Sequence, residues 1–214
     1  MKKKSIFFLL LLLSISLNAS LPIVVPTFND NYSSYVQKLE NGDLNIDFKD
    51  FRFSFIDSEQ YLASTDKFAI KDSLMEIVYS ELQKENHSAI IDITGQLLSI
   101  DYTDLTVHNL RRNSFELTGD SVQSKKHETI LLGLLGSILM NGDGETCETG
   151  WPIIQLPEAY FIIQLLGGEI IPQAETTDVV ECEEFLIKGA DKTSSIFFNT
   201  GKMQEGYRKI EEQN

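Results

Sequence analysis

Asn141, Asp143 and Glu145 alternate along Asn141-Gly142-Asp143-Gly144-Glu145-Thr146 as the first oxygen ligands of a calcium loop do. Such a loop also needs glycine at its sixth position and a bidentate glutamate at its twelfth, and those positions hold Thr146 and Pro152. The glycines could shape an anion-binding nest, yet no Lys-Ser or Lys-Thr follows to make a phosphate loop. The third use is structural: a tight turn in which glycine supplies positive φ while Asp and Thr side chains bond the backbone. That use is the expected one. Gly142, Asp143, Gly144, Glu145 and Thr146 form the candidate functional loop, with no metal assigned to it.

Other chemistry is thinner. His87, His108 and His127 stand apart in sequence, without the spacing of a His-Glu-x-x-His zinc site. His87 and His127 lie in polar breaks or helix starts and are expected on the surface. No Gly-x-Ser-x-Gly nucleophile elbow occurs. Glu181, Glu183 and Glu184 surround Cys182, but acids are common throughout, so no carboxylate pair of the glycosidase kind stands out. No catalytic or cofactor-binding residue is assigned, and no cofactor is implied. Cys147 and Cys182 are the two cysteines, and no Cys-x-x-Cys exists to exchange electrons. In an oxidising compartment they would pair. They would stay as two thiols if Cys182 pointed to the opposite face of its strand, because strand side chains alternate.

These residues need elements to hold them. Asp30 caps an expected helix over Asn31–Leu39, with Tyr32, Tyr35, Val36 and Leu39 at helical spacing and Gly42 to end it. Asp47–Ile56 reads two ways. Phe51, Phe53 and Phe55 alternate as on a strand, whereas Phe48, Phe51 and Phe55 share a helical face; Asp47 as a cap favours the helix. Four apolar stripes follow at helical spacing: Ile70 to Leu82, Ala89 to Leu98, Leu105 to Leu117, and Ile130 to Leu139. Polar breaks separate them at Glu85-Asn86-His87, Asp101 to Asp104, and Gly119-Asp120-Ser121. The second stripe opens near Ser88 and the fourth near Ser121, close to the period of tetratricopeptide repeats. The fourth stripe is apolar on nearly every side and reads as a helix buried all round, with Gly133 and Gly136 admitting close neighbours.

Beyond Met140 the pattern changes. Trp151–Leu156 is a short apolar run, and Glu158–Leu166 reads as a helix with Tyr160, Ile163 and Leu166 inward, closed by Gly167-Gly168. Glu169–Pro172, Val179–Lys188 and Ser194–Asn199 are extended or strand-like, and Lys202–Gln213 is a final polar helix. The expected fold class is α+β: N-terminal antiparallel helical hairpins of tetratricopeptide type, packed on a small, mostly antiparallel C-terminal sheet with one or two helices. Its parts are a leader at 1–19, a helical region at 20–140, and a small α/β region at 141–214 continuous with the helices.

The leader rests on Lys2-Lys3-Lys4, an apolar run from Ile6 to Leu17, and small residues at Ala19 and Ser20, where cleavage is expected. The run is short for a bilayer span, which takes about 20 residues. The chain is therefore expected in the periplasm or outside the cell, with no membrane span after cleavage. Its 18 basic and 32 acidic residues give a net charge of −14, and loss of the three lysines makes it more negative still. Such a surface repels phosphate backbones, so nucleic acid is not an expected partner.

Several of these residues together carry a resemblance. They are Tyr32, Tyr35, Glu40-Asn41-Gly42-Asp43-Leu44, the Asn141–Thr149 loop, Ile153-Ile154, Glu158-Ala159-Tyr160 and Phe197-Phe198-Asn199. From about Asn31 to Tyr207 the chain resembles an uncharacterised exported bacterial family, a domain-of-unknown-function family. The resemblance implies tetratricopeptide-like helices joined to a small α/β portion through a Gly-Asp-Gly-Lys/Glu-Thr loop. Cys147 and Gly150-Trp151 depart from that pattern. It implies no established activity. The expected function is a binding or scaffold module for a protein or peptide, because stacked hairpins leave a concave face. The alternative is a hydrolase of envelope or glycan substrates using carboxylates near Gly142–Thr146.

Overall fold

A computed structural model describes residues 22–172, 181–189 and 192–213. The expected leader, and Val179 and Val180, lie outside these residues. The helices come first: α1 (Asn31–Glu40), α2 (Phe48–Ile56), α3 (Glu59–Thr65), α4 (Phe68–Gln83), α5 (His87–Leu98), α6 (Leu105–Thr118) and α7 (Ser121–Leu139). Then follow β1 (Trp151–Pro152), α8 (Leu156–Leu165), β2 (Glu169–Ile170), β3 (Cys182–Lys188), β4 (Thr193–Asn199) and α9 (Gly201–Glu211). The fold is α+β, with the helices gathered in the N-terminal part.

Local chemistry explains where most helices start. Asp30, Asp47, Ser58, Asn86, Asp104 and Asp120 each accept a backbone N–H three residues on, from Ser33, Asp50, Tyr61, Ala89, Val107 and Gln123. Each bond satisfies a donor that a helix N-terminus otherwise leaves bare. The Asp47 bond is what commits the ambiguous phenylalanine segment to a helix. Gly119, at φ +86°, ends α6 in the left-handed conformation that glycine adopts without strain. α4 lacks such a cap: Lys67 precedes it with no side-chain bond.

Helices α4, α5, α6 and α7 pack each against the next, and α7 also meets α2 and β1. At the α2–α7 crossing the Phe48 ring lies where a Cβ on Gly133 would be, 2.3 Å from its ideal position. Gly136 faces open space apart from Met140 Sδ at 3.9 Å, so only one of the two expected glycine approaches exists. Nor is α7 buried all round, since Leu132 is exposed. The sheet runs β1-β4-β3-β2, with β2–β3 and β3–β4 antiparallel and β1–β4 parallel. Its inward residues Phe185, Ile187, Ile196 and Phe198 belong to the same buried cluster as Phe51, Ile90 and Leu134 of the helices. In α8 the inward residues are Ala159, Ile162 and Ile163, while Tyr160 and Leu166 are exposed, which corrects the expected face. The apolar stripe of α4 is also largely outward: Val78 is its one fully buried residue.

Candidate functional site

The candidate loop folds onto itself and onto the sheet. Asp143 and Gly144 donate their N–H groups to Thr149 O at 3.0 and 3.1 Å. Asp143 Oδ1 accepts from Glu145 N at 2.9 Å and from Thr149 Oγ1 at 2.5 Å. The Thr149 hydroxyl and the Glu145 amide hold the Asp143 carboxyl below its usual range. Thr146 Oγ1 lies 3.0 Å from Thr149 Oγ1. Gly142 O accepts from Trp151 Nε1 at 3.1 Å, and Gly144 O accepts from Phe197 N of β4 at 2.9 Å. Gly144 has φ +72° and lies under the Trp151 ring. The loop is thus a turn whose polar groups bond one another and the edge of the sheet. Among the described residues, no group of three or more His, Cys, Asp or Glu is placed to hold a metal ion.

Gly142 is required by space alone. A Cβ there would sit 2.3 Å from Thr149 O, a backbone atom that the Asp143 and Gly144 bonds hold in place. Gly142→Ala is expected to lower folding stability by about 1–3 kcal/mol, the usual cost of overpacking. A urea titration followed by fluorescence checks it; an unchanged midpoint would show that the loop can yield.

Cys147, just past this turn, is bonded to Cys182 at the start of β3, with the α-carbons 5.5 Å apart and a sequence separation of 35. The bridge ties the chain leaving α7 to the strand beside β4. Protein purified from its native compartment and unfolded without reductant is expected to show no free thiol. Two free thiols per chain would refute the pairing.

The structure also assembles polar groups that the sequence kept apart. Arg52 of α2 is fully buried and grips Glu158 of α8 with two bonds, Nε to Oε1 at 2.9 Å and Nη2 to Oε2 at 2.6 Å. Its remaining donors reach Ser137 Oγ and Pro152 O, and Ile154 N donates to Glu158 Oε2. One guanidinium therefore joins α2, α7, β1 and α8. A second centre links α6 and α7. His127 is fully buried, against expectation, and its Nδ1 lies 3.0 Å from Nδ1 of His108. Arg111 Nε donates to His127 Nε2, and His108 Nε2 donates to Tyr102 O. Nearer the surface, the Tyr102 hydroxyl donates to Glu40, which also pairs with Lys126 at 2.9 Å. A cleft of about 590 Å³ opens over this pair, between the end of α1 and the start of α7. The signals in sequence were slight: a lone arginine among phenylalanines for Arg52, and helical spacing of His127 with Leu131 and Leu134.

A last feature is apolar. Phe68 and Tyr79 of α4 are half-exposed, at 50% and 54%, with Leu82 exposed on the same side; Ile70 and Ile77 are exposed on the opposite side of the helix. Among the described elements, α5 is the one with which α4 makes extensive contact.

The profile of the domain-of-unknown-function family DUF4919 matches residues 25–209. The chain belongs to that family. The DUF4919 match covers every described helix, from α1 onward through most of α9, and all four strands. It contains the Gly142–Thr146 loop and both cysteines. No curated protein and no solved structure matches the chain.

Proposed function

We propose that this DUF4919 protein is an exported binding or scaffold module that captures a protein or peptide through its helical row. The observation that carries the reading is the exposed apolar surface of α4, at the free end of the series α4, α5, α6, α7. An exposed apolar patch of the kind that Phe68, Tyr79 and Leu82 form on one side of α4 marks interaction sites. The start points of α5 and α7, His87 and Ser121, agree with a repeat of tetratricopeptide length and so support stacked hairpins. The basic and apolar start of the chain supports export, and no described helix is long and apolar enough to cross a membrane. The hydrolase reading has less behind it. A general acid needs a carboxyl with a raised pKa, and Asp143 is held low by its own loop.

Photo-crosslinking in cells tests the proposal. A crosslinking side chain at Tyr79 is expected to give one discrete adduct with another protein, while the same group at exposed Tyr207 of α9 gives none. Absence of a Tyr79 adduct, or hydrolysis of envelope glycans abolished by Asp143→Asn, would overturn it.

A further inference from the structure

We propose, resting on the binding reading above, that α4 receives a basic amphipathic helix from a different protein and is not a contact between copies of this chain. Phe68, Met75, Tyr79 and Leu82 are spaced by seven, four and three residues, so they lie along one side of α4. Three of the four are exposed, and Met75 is partly buried, linking the stripe to the core. From Phe68 to Leu82 the stripe runs about 21 Å, four helical turns, at 1.5 Å per residue. An apolar line of that length on one helix matches the anchor line of an amphipathic helix laid alongside it.

The flank of the stripe selects the occupant. Asp72 lies one turn after Phe68, and Glu76 three residues before Tyr79, so both border the same side. Both are exposed. A helix seated on the stripe meets this acidic border along its edge, and lysines or arginines there complement it. A second copy would bring its own Asp72 and Glu76, and a chain of net charge −14, against the same border. Like charges so juxtaposed oppose that contact. α4 also lacks the N-terminal cap that most of the other helices have, so it can adjust to a partner without breaking such a bond.

The probes are two synthetic helical peptides of about 14 residues, the length of the stripe at 1.5 Å per residue, one built from leucine and lysine and the other from leucine and glutamate. Binding to the chain lacking residues 1–19 is read by fluorescence anisotropy at 150 mM salt, the ionic strength at which the Debye length is about 8 Å. The lysine peptide is expected to bind and the glutamate peptide not to. Two surface variants, Phe68→Ser/Tyr79→Ser and Asp72→Lys/Glu76→Lys, are each expected to weaken the lysine peptide at least about tenfold, as loss of anchor or charge contacts does. Circular dichroism melting confirms that each variant is folded. Lysine-peptide binding that both variants leave unchanged would mean general attraction to an acidic surface and overturn the proposal. So would a dimer in sedimentation that Phe68→Ser/Tyr79→Ser dissolves, which assigns the face to a second copy. If Tyr79 crosslinks in cells while the lysine peptide fails to bind, the binding module stands and the basic helix is excluded.

Discussion

Arg52→Ala will cost about 3–5 kcal/mol of folding free energy, the range for breaking a buried ion pair from one side. The substitution leaves the Glu158 carboxylate buried, with Ile154 N as its remaining donor, and removes the Arg52 donor from Pro152 O, while Ser137 Oγ keeps its bond to Leu134 O. Taking a donor away from a buried acceptor costs part of its desolvation penalty. A domain of this size holds about 5–15 kcal/mol in total, so the variant stands near the edge of folding. The double substitution Arg52→Met/Glu158→Leu is expected to lose less than either single one, since an apolar pair needs no partner. Urea midpoints at constant slope measure all three. A single variant within about 1 kcal/mol of the natural chain, the usual worth of an exposed pair, contradicts the burial drawn for this pair. The pair's role is then one of position: it fixes α8 on α2 and α7, and with α8 the orientation of the sheet.

That pair also marks the limit of what the sequence could yield. Helix starts are local events, and Asp30, Asp47, Asp104 and Asp120 each act within three residues. The four-helix series and the strand positions of the α+β fold were therefore readable in advance. α3 escaped notice because it is seven residues long, though Ser58 caps it. Glu158 lies 106 residues from Arg52, and nothing local connects them. His127 was misplaced by weighing its polar neighbours Lys125, Lys126 and Glu128 over its period. Residues 127, 131, 134 and 138 fall on one side of α7, and all four are buried. In α8 the small Ala159 was passed over for the larger Tyr160, whose exposed ring stands edge-on to Phe185 at 5.8 Å between centroids. On α4 the stripe from Ile70 to Leu82 turns Leu74 and Val78 inward but leaves Ile70, Ile77 and Leu82 exposed. Apolar spacing states that a helix has an apolar side; whether the same chain covers that side is decided by tertiary neighbours. The candidate loop was legible as a turn, because glycine and Asp/Thr chemistry is local, whereas its contact with β4 was not.

Acid will destabilise the chain before its carboxylates titrate, through His108 and His127. The proton positions at this pair follow from its ends. Arg111 can only donate, so His127 Nε2 is bare and its Nδ1 carries the hydrogen. Tyr102 O can only accept, so His108 Nε2 carries the hydrogen and its Nδ1 is bare. The bond between the two Nδ1 atoms then has one donor and one acceptor, and both rings are neutral. Burial lowers the His108 pKa to about 4, with the Arg111 charge adding to the effect. Burial, then His108, Arg111 and Lys126, hold His127 well below its usual value. In the unfolded chain both rings take protons near pH 6.5. Between about pH 6.5 and 4.5 the unfolded state therefore binds up to about two more protons than the folded state, and stability falls as pH falls. At about 1.4 kcal/mol per proton per pH unit, His108 alone loses on the order of 2 kcal/mol across that window, and His127 acts in the same direction. Above pH 7 the contribution is fully present and flat. Aspartate and glutamate titrate at about pH 4 in the unfolded chain, so the window belongs to the histidines. His127→Gln provides the control, since its amide oxygen can accept from Arg111 and its NH₂ can donate to His108. It is expected to halve the slope of stability against pH in the window while leaving the chain folded at pH 7.5. Urea titrations at half-unit steps read both slopes, and a natural chain equally stable at pH 7 and pH 5 would refute the neutral pair.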